Sequence, residues 1–236
     1  MTWRKHAPSI ATLGNLAAGV TACMLATRGR VEAGALMVLA AVLLDSLDGA
    51  LARTLSAESD FGAELDSLAD VVSFGVAPAV LAGSLLPEEF AGMGWLLLLS
   101  LPVCAAVRLA RFNLSVDRGE HVGFAGLPST GAGAGAASAI LLHSHLHQIG
   151  VFGTGALLPW AMLLLAVLMV SRVPYRHAGQ IVGRLGPVPL ALVTATFILG
   201  SALWQYQYLF AALTWGYALA APLQVAREKI RAVHHA

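Results

Sequence analysis

Charged residues are scarce in this chain. Only 11% of its 236 residues are Asp, Glu, Lys or Arg, whereas 58% are hydrophobic. A soluble domain carries about a quarter charged residues, so the charges here are too few to cover a water-facing surface of this size. The scarcity of charge excludes an ordinary soluble domain and predicts that lipid surrounds most of the chain.

Cysteine is scarce as well, and neither sign of charge dominates. Cys23 and Cys104 both lie in apolar runs, so we expect small buried side chains and not a disulfide or a cysteine metal site. The formal net charge of +1 gives no reason to expect nucleic acid as a partner. The first apolar run lacks a convincing small-residue cleavage site, which predicts a retained span instead of a signal peptide.

Long apolar runs are what the chain has in abundance. A helix needs roughly 20 mostly apolar residues to cross a bilayer. Eight stretches come close to this length, at about 9–27, 33–53, 61–86, 91–113, 129–147, 153–171, 185–204 and 208–226. We therefore predict an all-α fold, a polytopic membrane helix bundle of about eight transmembrane helices that forms one integral-membrane domain over residues 1–236.

Lys and Arg collect mainly at one set of helix ends. With an even number of spans, the basic residues before the first span, between the sixth and seventh, and after the eighth all fall on one side. The positive-inside rule makes that side cytoplasmic. Arg28 and Arg30 depart from the rule. We expect an integral protein of a bacterial or archaeal cell membrane.

Small residues open the fifth stretch, where glycine and alanine alternate from Gly131 to Ala136. Small residues four apart allow helix backbones to approach closely within a membrane. We expect this stripe to pack against other helices of the same chain, and a homodimer seam is the alternative.

Acidic residues interrupt the second and third apolar stretches, although an isolated charge at mid-bilayer costs at least ~2.5–3.5 kcal/mol. Asp45 and Asp48 are three apart, and Asp66 and Asp70 are four apart. Each pair therefore projects from one face of its helix. Because the connection between the two helices is short, they should be antiparallel neighbours whose acids face each other near the cytoplasmic side.

Four converging carboxylates repel one another strongly at low dielectric unless protons or cations lie between them. Hard divalent ions prefer oxygen ligands, and two such ions about 3.5–4 Å apart can clamp the attacking and leaving oxygens of a phosphoryl displacement. The acids thus predict a metal site for phosphate-ester transfer. The alternatives are helix caps or pairs with Arg53, a divalent-metal or proton-coupled transporter, and a non-catalytic scaffold.

Further fixed positions surround the acids and form a longer pattern. It reads Asp45-x2-Asp48-Gly49-x2-Ala52-Arg53-x8-Gly62-x3-Asp66-x3-Asp70. The pattern resembles the signature of the CDP-alcohol phosphotransferase family at every position. The resemblance implies transfer of a phosphate-linked group from a CDP-activated lipid or alcohol to a hydroxyl, with release of CMP.

The resemblance also implies a role for each matching residue. The metal ligands, for two Mg²⁺ or Mn²⁺ ions, would be Asp45, Asp48, Asp66 and Asp70. Asp70 would also be the catalytic base that takes the proton of the acceptor. Contacts to the CDP portion would come from Asn15, Asp48, Gly49, Ala52 and Arg53. A missing side chain at Gly49 leaves room for a phosphate, and Arg53 offers a rigid fork of donors.

Other segments resemble the serine-accepting branch of the family, namely residues 62–78, 108–113 and 124–129. We therefore expect CDP-diacylglycerol as donor and L-serine as acceptor. Arg108 and Arg111 are three apart on one helix face, and a guanidinium fork suits the serine carboxylate; Asn113 or Ser73 would meet the ammonium group. Glycerol 3-phosphate, inositol phosphate or choline as acceptor, and an ether-linked archaeal lipid as donor, remain alternatives.

Overall fold

The computed structural model describes residues 3–55, 60–117, 126–175 and 206–234. These ranges are almost entirely helical and contain no β-strand. The helices are α1 (Trp3–Thr27), α2 (Val31–Leu55), α3 (Asp60–Asp70), α4 (Ala77–Gly83), α5 (Ala91–Leu98), α6 (Ser100–Asp117), α7 (Ser129–Gln148), α8 (Leu158–Val170) and α9 (Tyr206–His234). Single 3-10 turns, Glu88–Phe90 and Thr154–Leu157, precede α5 and α8.

Four segments of the described ranges are long and apolar enough to cross a membrane. They are Ile10–Thr27, Asp60–Gly83, Gly92–Leu114 and Tyr206–Glu228, and Thr154–Val170 is a shorter apolar helix. The predicted second and fifth stretches form α2 and α7, while the predicted seventh stretch, 185–204, lies outside the described residues. The prediction of an all-helical membrane protein is confirmed, but the predicted count of eight transmembrane helices is not.

A tight turn joins α1 to α2 and sets them side by side. Arg30 N–H donates to the carbonyl of Leu25 at 2.9 Å, and Gly29 N–H donates to that of Ala26 at 3.0 Å. These bonds satisfy carbonyls that the end of α1 leaves open, and they require a left-handed residue after the helix. Gly29 takes that conformation with φ of 68°, and the two helices then pack along their length.

The third span changes its winding directly after Asp70. Residues Val71–Val76 form a π-helical turn between α3 and α4, and Ala77 N–H reaches back to the carbonyl of Val72. Pro78 follows at the start of α4 and has no N–H to donate to the preceding turn. Such π segments inside α-helices are frequent at functional sites, and this one directly follows the acidic face.

Glycines allow the helices around this span to approach closely. A Cβ on Gly19 would collide with Ser73, and a Cβ on Gly133 would lie 2.5 Å from Phe74 Cδ1. A Cβ on Gly135 would lie 3.2 Å from a methyl of Leu165. The small-residue stripe of α7 thus packs against the π-helical turn and α8 of the same chain, as predicted.

The loop before α7 is fastened to the end of α8. Gly126 N–H donates to the carbonyl of Val173 at 2.9 Å, and Leu127 N–H donates to that of Leu168 at 3.0 Å. Gly126 has φ of 94°, and a Cβ there would collide with the carbonyl of Met169. Only glycine fits this position without strain. The loop therefore fixes the place where α7 begins, and with it Ser129.

Candidate active site

Three of the four predicted aspartates converge in the bundle. Asp45 in the second half of α2 and Asp66 and Asp70 on α3 each place a carboxylate oxygen within 4.8 Å of the others. Asp70 is buried, and the other two are partly buried. The spacing places the acids of each helix on one face. The two faces come together because α1 packs against both α2 and α3. The fourth aspartate, Asp48, lies on α2, but its side chain is outside the described part of the structure.

Two neutral donors hold the carboxylate of Asp70. Asn15 of α1 donates from Nδ2 to Asp70 Oδ1 at 3.2 Å. Ser129 of α7 donates from its hydroxyl to Asp70 Oδ2 at 2.7 Å. Both donors are buried, so helices on two sides of α3 fix the plane of this one carboxylate.

One carboxylate oxygen of Asp45 lies within 4.8 Å of one carboxylate oxygen of Asp70. Carboxylates that share a buried site repel each other unless a proton or a cation lies between them. A cluster of three carboxylates whose oxygens lie within 4.8 Å of one another, inside an apolar bundle, matches the all-oxygen ligand set that hard divalent ions prefer. The residues present therefore fit a divalent metal site.

Arg108 of α6 lies beside the acidic cluster. Its Nη1 donates to the hydroxyl of Ser129 at 3.4 Å, and that hydroxyl in turn donates to Asp70. Its Nε is buried and has no hydrogen-bond partner among the described residues. A buried donor without a partner costs about 1–3 kcal/mol, so the position is suited to a ligand that supplies an acceptor.

The other three predicted acceptor contacts occupy different places. Arg111 is exposed and donates from Nη1 to the carbonyl of Val170 at 3.2 Å, where it caps the end of α8. Asn113 donates from Nδ2 to Ser67 Oγ at 3.1 Å and to Glu64 Oε1 at 3.3 Å, which ties α6 to α3.

Ser73 is fully buried and donates to the backbone carbonyl of Asn15 at 2.9 Å. This bond fastens the π-helical turn to α1, close to the residue that holds Asp70. The structure therefore brings Arg108 to the acids, whereas it places Arg111, Asn113 and Ser73 in contacts between helices.

The predicted CDP contacts divide into two groups. Gly49, Ala52 and Arg53 lie with Asp48 in the last part of α2, on its described backbone, and their side chains are outside the described part. Asn15 is fully buried with its amide on Asp70, while its Oδ1 has no hydrogen-bond partner among the described residues. That oxygen is free to accept a donor from a ligand.

Comparison with known proteins identifies the family. The family model described as CDP-alcohol phosphatidyltransferase matches residues 5–170, which include every site residue named above. The chain belongs to this family. Membership agrees with the acidic cluster, because the family generally uses divalent metal ions, and it decides against the transporter and scaffold alternatives.

Several relatives in the family are named for transfer to serine. The chain is 37% identical over 209 residues to a CDP-diacylglycerol–serine O-phosphatidyltransferase of Mycobacterium leprae, covering 81% of this chain and 68% of that protein. One from Mycobacterium tuberculosis is 39% identical over 184 residues, with 74% and 63% covered. An archaetidylserine synthase of Methanothermobacter thermautotrophicus is 33% identical over 170 residues, with 71% and 68% covered.

Ser129 is the site residue to which sequence reasoning assigned no role. In the sequence it is the first residue of the small-residue stretch and the last residue of the segment 124–129. The available signal was a hydroxyl residue directly after Leu127-Pro128, at the start of a helix in which seven of the first ten residues are Gly or Ala. Which side chain that hydroxyl meets depends on how α7 packs on α3.

Proposed function

We propose that this protein transfers the phosphatidyl group of CDP-diacylglycerol to the hydroxyl of L-serine, giving phosphatidylserine and CMP. One observation carries the proposal: Asp45, Asp66 and Asp70 converge within 4.8 Å inside a chain of the CDP-alcohol phosphatidyltransferase family. The serine in the names of the bacterial and archaeal relatives supports the choice of acceptor.

In the proposed reaction Asp70 is the base. The hydroxyl oxygen of serine attacks the phosphorus that carries the diacylglycerol, and a new oxygen–phosphorus bond forms. The bond from that phosphorus to the oxygen of CMP breaks, and CMP leaves with the electron pair. Asp70 takes the proton of the serine hydroxyl; a positioned base of this kind contributes about 10²–10⁴-fold. Asn15 and Ser129 hold its carboxylate in one plane for this step.

The metal ions would be two Mg²⁺ or Mn²⁺ ions, held by Asp45, Asp66, Asp70 and Asp48. When bound, they supply positive charge to the phosphate oxygens and to the leaving group. Gly49, Ala52 and Arg53 would contact the CDP portion from α2. The Oδ1 of Asn15, which is buried and has no hydrogen-bond partner among the described residues, would accept a hydrogen bond from the CDP portion.

Recognition of serine is assigned first to Arg108. Its buried Nε has no hydrogen-bond partner among the described residues, and a planar guanidinium binds a carboxylate through two parallel hydrogen bonds. Arg111 lies one helical turn further along α6, at the exposed end of the site, and is assigned to the same carboxylate. Of Asn113 and Ser73, Asn113 is assigned to the ammonium group through its oxygen, because the hydroxyl of Ser73 is fully buried against the carbonyl of Asn15.

The proposal includes a topology. The chain would cross the membrane eight times as a single domain, with the acids toward the cytoplasmic face of a bacterial or archaeal cell membrane. Both substrates suit this placement, because the lipid donor reaches the site from the bilayer and serine reaches it from the cytoplasm. A second copy of the chain is a further partner to test.

The decisive experiment gives the purified full chain, in detergent or lipid, CDP-diacylglycerol with Mn²⁺ or Mg²⁺. L-serine, glycerol 3-phosphate, inositol phosphate and choline are supplied in turn, and CMP and the lipid product are measured. We expect CMP release and an amine-bearing lipid with L-serine alone. Turnover only with another acceptor contradicts the proposal, and a preference for a CDP-activated ether lipid reassigns the donor.

A further inference from the structure

Ser129 joins the two groups that handle the acceptor. Its hydroxyl oxygen lies 3.4 Å from Arg108 Nη1 and 2.7 Å from Asp70 Oδ2. Ser129 is only 4% exposed, so these contacts lie inside the bundle, away from bulk water. One hydroxyl group therefore links the guanidinium of Arg108 to the carboxylate of Asp70.

Chemistry fixes the direction of both hydrogen bonds. A guanidinium has donors and no acceptor, so the oxygen of Ser129 must accept from Arg108. A hydroxyl has a single hydrogen, and that hydrogen is left for the carboxylate of Asp70. The chain of bonds therefore runs one way, from Arg108 through Ser129 to Asp70.

Both ends of this chain of hydrogen bonds, Asp70 and Arg108, keep unused hydrogen-bonding capacity. Each carboxylate oxygen can accept about two hydrogen bonds or metal contacts. Asp70 uses Oδ1 for Asn15 and Oδ2 for Ser129. Arg108 still has its buried Nε to offer. An acceptor can thus dock on Arg108 and present its hydroxyl to Asp70 while Ser129 stays in place.

We propose that Ser129 is a positioning residue that couples binding of the acceptor carboxylate at Arg108 to the orientation of the base Asp70. The proposal rests on the proposed function and deepens it. The carboxylate of the bound acceptor fixes the guanidinium of Arg108, and the guanidinium fixes the hydroxyl of Ser129. That hydroxyl orients the carboxylate of Asp70, which removes the proton. The attachment of Gly126 and Leu127 to the end of α8 holds Ser129 in register for this role.

Substitutions at Ser129 separate positioning from packing. Ser129→Cys keeps the volume but offers only a weak donor, and Ser129→Thr keeps the hydroxyl. We expect Ser129→Ala and Ser129→Cys to lower kcat about tenfold or more, because a hydrogen bond to a charged group is lost. The KM for CDP-diacylglycerol should stay within about twofold, and Ser129→Thr should recover activity to within about threefold of the wild type.

The matched control is Ser138→Ala on the same helix. Ser138 is equally buried, but its hydroxyl donates to the carbonyl of Gly135 and pairs with Thr214. Its kcat should remain that of the wild type. If Ser129→Ala loses no more activity than Ser138→Ala, or if the Cys and Thr variants are equal, Ser129 is structural and the proposal is wrong.

A double-variant cycle tests the coupling itself. Arg108→Gln should raise the KM for serine, and Arg108→Gln with Ser129→Ala should lose less activity than the product of the two single losses, since both act through one chain. Multiplicative losses overturn the coupling. A wild-type chain that does not turn over serine refutes the proposed function, whereas normal wild-type turnover with an unaffected Ser129→Ala refutes this inference alone.

Discussion

Replacing Asp70 with asparagine tests the assigned base directly. The substitution keeps the shape of the side chain but removes its charge and its ability to take a proton. The amide that replaces the carboxylate would offer one acceptor oxygen, where Asp70 now accepts from both Asn15 and Ser129, so one of these donors also loses its partner. The variant therefore loses proton transfer and part of the orientation together.

The expected size of the loss follows from these contacts. Loss of a general base costs about 10²–10⁴-fold in rate, which is about 2.7–5.4 kcal/mol at about 1.36 kcal/mol per tenfold. Folding should survive, because removing one of three close carboxylates relieves repulsion between them. Binding of CDP-diacylglycerol should persist, since the contacts proposed for CDP lie mainly on α2.

The assay measures CMP release at saturating serine, CDP-diacylglycerol and Mn²⁺, so that weaker metal binding is not mistaken for a lost base. Asp60→Asn is the matched control, because Asp60 is an exposed carboxylate in the first turn of the same helix. We expect wild-type turnover for Asp60→Asn and a loss of at least about a hundredfold for Asp70→Asn. A variant at position 70 that keeps more than about a tenth of wild-type kcat would remove Asp70 from the role of base.

Three further predictions concern the metal, the packing and a buried tyrosine. EDTA should abolish CMP release and Mn²⁺ or Mg²⁺ should restore it, with Asp45→Asn needing at least about tenfold more metal for half-maximal rate; full activity in EDTA would contradict the metal site. Gly133→Ala should destabilise the protein by about 1–3 kcal/mol, because its Cβ would meet Phe74, whereas thermal unfolding of Gly216→Ala, where the space is open, should show no loss. Tyr175 follows α8, donates its hydroxyl to the carbonyl of Ala218 at 2.7 Å, and burial, with the neighbouring Tyr217, raises its pKa to about 12. The neutral phenol is therefore the folded form: its contribution is complete below the unfolded pKa of about 10 and is lost as pH rises through about 12. Tyr175→Phe should lower the free energy of unfolding by about 1–3 kcal/mol, and this loss should be constant from pH 6 to pH 9. A loss that varies over this pH range would refute the neutral phenol as the folded form.

The spacing of the acids determined most of the site. Two carboxylates three or four residues apart share a helix face, and a short connection keeps the next helix near the first. The convergence of Asp45 with Asp66 and Asp70 needs one tertiary contact as well, because α1 packs against both α2 and α3. The membrane environment could also be predicted from the sequence, because the scarcity of charged residues is a property of composition alone.

Contacts between distant helices were decided only by the tertiary structure. Arg108 and Arg111 are equivalent by spacing, yet one lies beside the acids and the other caps α8. Ser129 meets Asp70 across 59 positions of sequence. The approach of α7 to the π-helical turn at Gly133 and Phe74 makes that contact. Periodicity fixes which residues share a face of one helix, but the rotation and height of that helix against its neighbours depend on the packing of the whole bundle.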